Sequence, residues 1–234
     1  MELQVPEGTV LSVVTGSRAY GLDGEGSDVD RRGVFVVPTP MFWRLDKPPT
    51  HMDGPMAEQF SWEIERFCVL AMRANPTVLE CLWSPIVEHV TPVGEELLAI
   101  RQAFLSREAE RTFAAYSDDQ FRRLESRGAE QPGPDARFAG DPRIRKMAMH
   151  LLRLLVSGLH LVRHGEPLVR VDDRLRARLL AVRQGATGWQ EAKRWREELT
   201  GELTAAIAGG SVLPDEPGKD VIEDFLMRVR RSAL

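Results

Sequence analysis

The chain has 234 residues and a mass of 26.3 kDa, enough for one large or two small domains, and its 43% hydrophobic content can fill real cores. Its formal charge of −4 is not that of a generic polyanion binder, so a nucleic-acid partner would have to be held by a local basic patch. No run reaches the roughly 18 to 20 apolar residues of a membrane span, and the N-terminal residues lack the basic and apolar regions of a signal peptide, which predicts a cytoplasmic protein with no membrane partner.

The apolar run over residues 9–14 predicts a buried strand. Gly16-Ser17 follows it as a tight turn whose backbone N–H groups and hydroxyl can cradle phosphate oxygens, within the segment Gly16-Ser17-Arg18-Ala19-Tyr20-Gly21. A second strand is expected over residues 28–37, introduced by Ser27. Strand side chains alternate, so Asp28 and Asp30 share a face and can hold hard divalent cations through oxygen. Arg32 alternates onto that face too, where it can neutralise charge on a phosphate or pair with a carboxylate and hold it in place.

Residues 38–55, rich in proline and turn formers, predict a surface excursion carrying Phe42 and Trp43, either as staples over the core edge or as a platform for a base. A short alternating strand then opens at Glu58, with Phe60 and Trp62 on its face. The helix expected over residues 63–74 has Ile64, Phe67, Cys68, Ala71 and Met72 at helical spacing. Asn75 is placed to cap the next helix, which starts at Pro76 and runs through Leu82. Cys68 and Cys81 lie in these two helices without a Cys-x-x-Cys or Cys/His grouping, so both read as core residues.

From Pro92 onward the pattern contains no further strand. Residues 93–105 and 107–127 carry helical patterning, with Tyr116 either packed between helices or stacked on a base. Residues 128–140 read as a polar Pro/Gly linker, and a long helix follows, capped by Asp141, with Pro142 in its first turn and Gly165 at its end. Met147, Leu151, Leu154, Leu155, Gly158 and Val162 form its apolar stripe. Its other face carries Arg143, Lys146, His150, Arg153, Ser157, His160 and His164 at intervals of three and four, including three of the five histidines and one of only four lysines. Such a face is either ordinary solvated surface or an anion-binding stripe. Helices are expected around residues 172–184, 189–208 and 219–231, the last ending in cations that suit its dipole. The fold class is therefore α+β: a small mixed-sheet core with flanking helices over residues 1–127, a linker over 128–140, and an all-helical domain over 141–234.

The ordered set of Gly16-Ser17, Ser27-Asp28-Val29-Asp30, Asn75-Pro76-Thr77 and the Lys146/His150/Arg153 helix resembles the polymerase-beta-like nucleotidyltransferase superfamily. Within it, the residues are most similar to the YcgL-type branch, described as nucleotidyltransferases linked to an RNA repair pathway. The resemblance implies two-metal, in-line transfer of a nucleoside monophosphate from a nucleoside triphosphate to a hydroxyl, with magnesium, or manganese in its place, and pyrophosphate as the leaving group. It implies Asp28 and Asp30 as metal ligands and a third carboxylate on a neighbouring strand, for which Glu58 is chosen with Glu63 and Asp53 as rivals. Gly16, Ser17, Arg18, Ser27 and Arg32 would serve the nucleotide phosphates, joined by Lys146, His150 and Arg153 if the basic face closes over the strand domain. An RNA end is the acceptor implied by the branch, a small molecule or protein hydroxyl the alternative. A module that senses nucleotide or binds RNA without turnover is the competing reading.

Overall fold

A computed structural model describes residues 3–126 and 134–234 of the chain. The expected linker residues up to 133 and the Tyr116 side chain lie outside what is described. Two compact units emerge: residues 1–108 with 214–234, and residues 109–213.

The first unit is built on a mixed sheet. Its elements are β1 (Thr9–Thr15), α1 (Gly16–Tyr20), β2 (Asp30–Phe35), β3 (His51–Asp53), β4 (Gln59–Glu63), α2 (Ile64–Met72), α3 (Pro76–Leu82), β5 (Val87–Val90) and α4 (Pro92–Ala99). The order is β3-β4-β2-β1-β5, with β2 and β4 parallel and every other neighbouring pair antiparallel. β1 is buried along its whole length, as its apolar run requires. Leu11, Val13, Val34, Phe35, Ile64, Phe67, Val78 and Leu82 make the surrounding core at 1% exposure or less, each large side chain worth about 1.5 to 3 kcal/mol of burial. Cys68 and Cys81 are buried and free among them. Burial pushes the Cys68 thiol up to about 12 and the Cys81 thiol further, so both are inert.

Gly33 sets the spacing of the parallel pair. A Cβ there would lie 2.5 Å from Ser61 Oγ and 3.1 Å from the Leu11 carbonyl, so a larger residue would push β4 away from β2. α3 begins as expected: Asn75 Oδ1 accepts from Val78 N at 3.3 Å and Pro76 occupies the first turn. The strands β3 and β5 were not anticipated. Both are short, of three and four residues, and largely unburied, so neither has an apolar run to announce it.

The second unit comprises α5 (Glu108–Ser126, its first residue in the first unit), α6 (Pro134–Gly140), α7 (Pro142–His164), α8 (Asp173–Gln184) and α9 (Trp189–Ala208). α6 lies where the linker was expected. Arg145 ties it to the bundle, donating to the Phe138 and Ala139 carbonyls and, through Nε, to the Arg183 carbonyl at the end of α8. α7 starts on the Asp141 cap and ends on left-handed Gly165, as expected. Its buried set is wider than one stripe, because Ala148, Met149, Leu152, Leu159 and Leu161 are covered too, while Met147 is 38% exposed.

The last helix, α10 (Lys219–Ser232), belongs with the sheet unit rather than with the helical part. Arg230 Nη1 donates to Glu63 Oε1 at 2.7 Å, its Nη2 reaches Glu65 at 3.2 Å, and its guanidinium lies 4.2 Å from the Phe42 ring centroid. Arg228 pairs with Glu96 on α4. Phe42 is thus a staple under α10, whereas Trp43 stays 71% exposed. The Glu63 side chain is only 4% exposed, so removing its partner strands a carboxylate out of water. Arg230→Ala is expected to cost about 2 to 4 kcal/mol in urea unfolding, and adding Glu63→Gln should recover part of that loss.

Candidate active site

The C-terminal end of β1 and the N-terminal ends of β2 and β4 meet at one edge of the first unit. Thr15 pairs with Asp30, Val13 with Arg32, and Arg32 in turn with Phe60, so these positions share a face. The strand expected to include Asp28 begins at Asp30, and Asp28 lies in the loop just before it.

Gly16 is the hinge of the site. Its φ is +67°, and a Cβ built on it would fall 2.1 Å from Asp30 Oδ2. The Asp30 carboxylate therefore lies directly against the backbone of the Gly16-Ser17 turn, in space that only glycine leaves open. The turn itself is the single-turn helix α1, whose N-cap Thr15 uses no side-chain bond to cap it. Thr15 Oγ1 instead donates to the Asp30 carbonyl at 3.2 Å, tying the start of β2 to the turn.

The intervening loop has its own supports. Arg18 donates from Nη2 to the Ser27 carbonyl at 2.9 Å and from Nε to the Asp28 carbonyl at 3.3 Å, and Ser27 Oγ accepts from Gly24 N at 2.9 Å. In this structure Arg18 and Ser27 position the backbone that carries Asp28. Arg32 is likewise engaged: its Nη1 donates to the Glu58 carbonyl at 3.0 Å, and its Nη2 stands 3.8 Å from Asp30 Oδ1.

Of the three rival carboxylates, Glu63 stands apart from Glu58 and Asp53. Glu63 is at the far end of β4, roughly 13 Å along the strand from Gln59, with Oε2 capping Glu65 N at 2.8 Å and Oε1 on Arg230. Glu58 is not a strand residue as expected but the last turn residue before β4, with φ +54°, a conformation rare outside glycine. Its carbonyl accepts from Arg31 N at 2.9 Å and from Arg32, which keeps it beside the start of β2. Asp53 is on β3 opposite Phe60. Glu58, Asp53, Arg32 and Phe60 together line a cleft of about 510 Å³. Among the described residues no group of three or more His, Cys, Asp or Glu side chains is close enough to form a complete metal cage.

In the second unit, α7 carries Lys146 exposed, His150 half-buried and Arg153 only 5% exposed, so the basic stripe is not a uniformly solvated face. Burial, Arg153, Lys146 and Arg183 drive the His150 pKa down to about 4, so the ring is neutral at pH 7 in a cationic setting. Arg183 comes from α8 and was not anticipated, since nothing in the periodicity of α7 points to a residue on another helix. His160 and His164 lie further along with ring centroids 4.4 Å apart. A second residue missed from sequence is Glu80 of α3, buried at 3% exposure and accepting the Tyr20 hydroxyl.

The first unit thus sets the Gly-Ser turn against Asp30 at one edge of a five-stranded mixed sheet. The chain belongs to the RNA repair pathway DNA polymerase beta family, whose model matches residues 2–228. It is 28% identical over 104 residues to the uncharacterized protein YcgL of Bacillus subtilis (strain 168), an alignment covering 43% of this chain and 40% of that protein. No solved structure matches the chain. Among the described residues no helix is long and apolar enough to cross a membrane.

Two outcomes test this geometry. Gly16→Ala should displace the Asp30 carboxylate and force a left-handed alanine, costing about 1 to 2 kcal/mol of stability, read by thermal melting. Because the folded His150 pKa lies below the unfolded value of 6.5, the unfolded chain takes up the proton first. Its contribution is full above pH 6.5 and is lost as pH falls toward 4, by at most about 3 kcal/mol. His150→Gln should flatten that part of a stability-versus-pH curve.

Proposed function

We propose that the protein is a metal-dependent nucleotidyltransferase that moves a nucleoside monophosphate from a nucleoside triphosphate to a hydroxyl acceptor, with an RNA end as that acceptor. The observation carrying this reading is the Asp30 carboxylate packed against the Gly16 backbone, a contact that joins a phosphate-binding turn to a metal-binding group. Gly16 and Ser17 bind the β and γ phosphates through N–H groups and the hydroxyl. Asp28 and Asp30 would hold the metal that neutralises the phosphates. Glu58 serves as the third carboxylate, with Asp53 in the same cleft as its rival, while Glu63 is consumed by a helix cap and an ion pair.

The donors fit magnesium, a hard cation that takes one or two carboxylates and completes its shell with phosphate oxygens and water, so a full protein cage is not required. When bound, it supplies charge neutralisation on the triphosphate and lowers the pKa of the attacking hydroxyl. Glu58 accepts the proton of that hydroxyl as its oxygen bonds to the α-phosphorus. The bond from the α-phosphorus to the bridging oxygen breaks in line, and pyrophosphate leaves with the electron pair. Arg32 holds Asp30 and the Glu58 turn in register, while Arg18 and Ser27 hold the loop bearing Asp28. Lys146, Arg153 and Arg183 form a cationic group suited to phosphate oxygens, with the neutral His150 ring among them.

Incubating the protein with α-labelled nucleoside triphosphates, magnesium and fractionated cell extract tests the proposal. Label should enter the RNA fraction with wild type, and Asp30→Asn should reduce it by a hundredfold or more. Label in a protein or small-molecule fraction would keep the chemistry and replace the acceptor. Nucleotide binding without any transfer would establish a sensing module instead.

A further inference from the structure

β4 has an inverted burial pattern. Its polar residues Gln59, Ser61 and Glu63 are buried at 5% exposure or less, while the alternate residues Phe60 and Trp62 remain half-exposed. These two aromatics belong to a ladder. His51 on β3 stacks on Phe60 with centroids 5.4 Å apart and planes 21° apart, and Phe60 meets Trp62 edge-on at 4.9 Å. Trp62 in turn leans on fully buried Phe67 at 6.1 Å. The ladder is rooted in the core at Trp62 and ends in solvent at His51. Phe60 also lines the cleft with Arg32, Glu58 and Asp53.

The order of strands gives these rings a direction. The phosphate turn ends β1, Asp30 starts β2, Glu58 precedes β4, and the rings occupy β4 and β3. Neighbouring strands are about 4.8 Å apart, so Phe60 is roughly 10 Å across the sheet from the strand that carries the phosphate turn. In an in-line displacement the leaving group and the attacking oxygen lie on opposite sides of the phosphorus. With the triphosphate on the β1 side, the acceptor arrives from the β4 and β3 side, where its base meets Phe60 and His51. Stacking on such rings is tolerant of sequence because every base has a π-face, and it requires a base that is not paired in a duplex.

Resting on the nucleotidyl-transfer reading, the geometry points to an acceptor platform: Phe60, flanked by His51 and Trp62, stacks the unpaired terminal base of a single-stranded polynucleotide. The 3′ oxygen of that terminus is thereby presented at the Asp30 and Glu58 end of the sheet, where it bonds to the α-phosphorus as pyrophosphate departs and its proton passes to Glu58.

The test measures binding of a short fluorescent RNA to the full chain by anisotropy, as a single strand and as a blunt duplex. Thermal shift by nucleoside triphosphates with magnesium is followed in parallel on the same proteins. Wild type should prefer the single strand. Phe60→Ala should weaken that binding by about five- to a hundredfold, His51→Ala should weaken it less, and Phe60→Trp should retain it, all with the nucleotide shift unchanged. Equal binding of single strand and duplex, no RNA binding by wild type, or unchanged binding by Phe60→Ala would each overturn the platform while an intact nucleotide shift leaves the transfer reading standing. Absence of the nucleotide shift in wild type would overturn the transfer reading, and with it the assigned role of the rings.

Discussion

The approach of the Asp30 carboxylate to the Gly16 backbone constrains the whole sheet unit. An atom as small as a methyl at Gly16 would fall 2.1 Å from Asp30 Oδ2, so the turn after β1 and the start of β2 must be closed on each other before any side chain there can act. Thr15 maintains that closure through the Asp30 carbonyl, and Arg18 maintains the loop between them. The parallel pairing of β2 with β4 then brings the Glu58 turn alongside, a step that Gly33 permits by leaving room for Ser61.

Several charged residues of the unit are spent on holding this geometry. Arg31 pairs with Glu88 on β5 at 2.8 Å, Arg32 bonds the Glu58 carbonyl, and Arg230 satisfies Glu63. Each of these contacts joins elements distant in the chain. Glu58 meanwhile keeps a left-handed backbone, which costs of order 1 to 3 kcal/mol and persists because Arg31 N and Arg32 both bond its carbonyl.

Legibility in the sequence followed the strength of local signals. Asn75-Pro76 announced α3 and Asp141-Pro142 with Gly165 delimited α7, because caps and breakers act within a few residues. The Gly16-Ser17 turn was readable for the same reason, whereas Asp28, expected on one strand face with Asp30, lies in the loop before β2. β3 and β5 were not, since three or four unburied residues carry no periodicity. Glu58 was read as a strand residue because alternation with Phe60 and Trp62 extends to it, whereas its positive φ depends on contacts from β2. Arg183 escaped notice because its effect on His150 crosses from α8 to α7.

The sequence by itself determined the α+β class, most helix boundaries, the Gly16-Ser17 turn and the basic residues of α7, all properties encoded over spans of a turn or a strand. Only the tertiary structure decided the strand order, the placement of α10 with the sheet, the separation of Glu58 and Asp53 from Glu63, and the alignment of His51, Phe60 and Trp62 into one ladder. Those outcomes depend on pairing register and on ion pairs between residues up to 167 positions apart, such as Arg230 with Glu63. Register across strands is set by which faces can be buried together, and that is a property of the assembled sheet rather than of any segment.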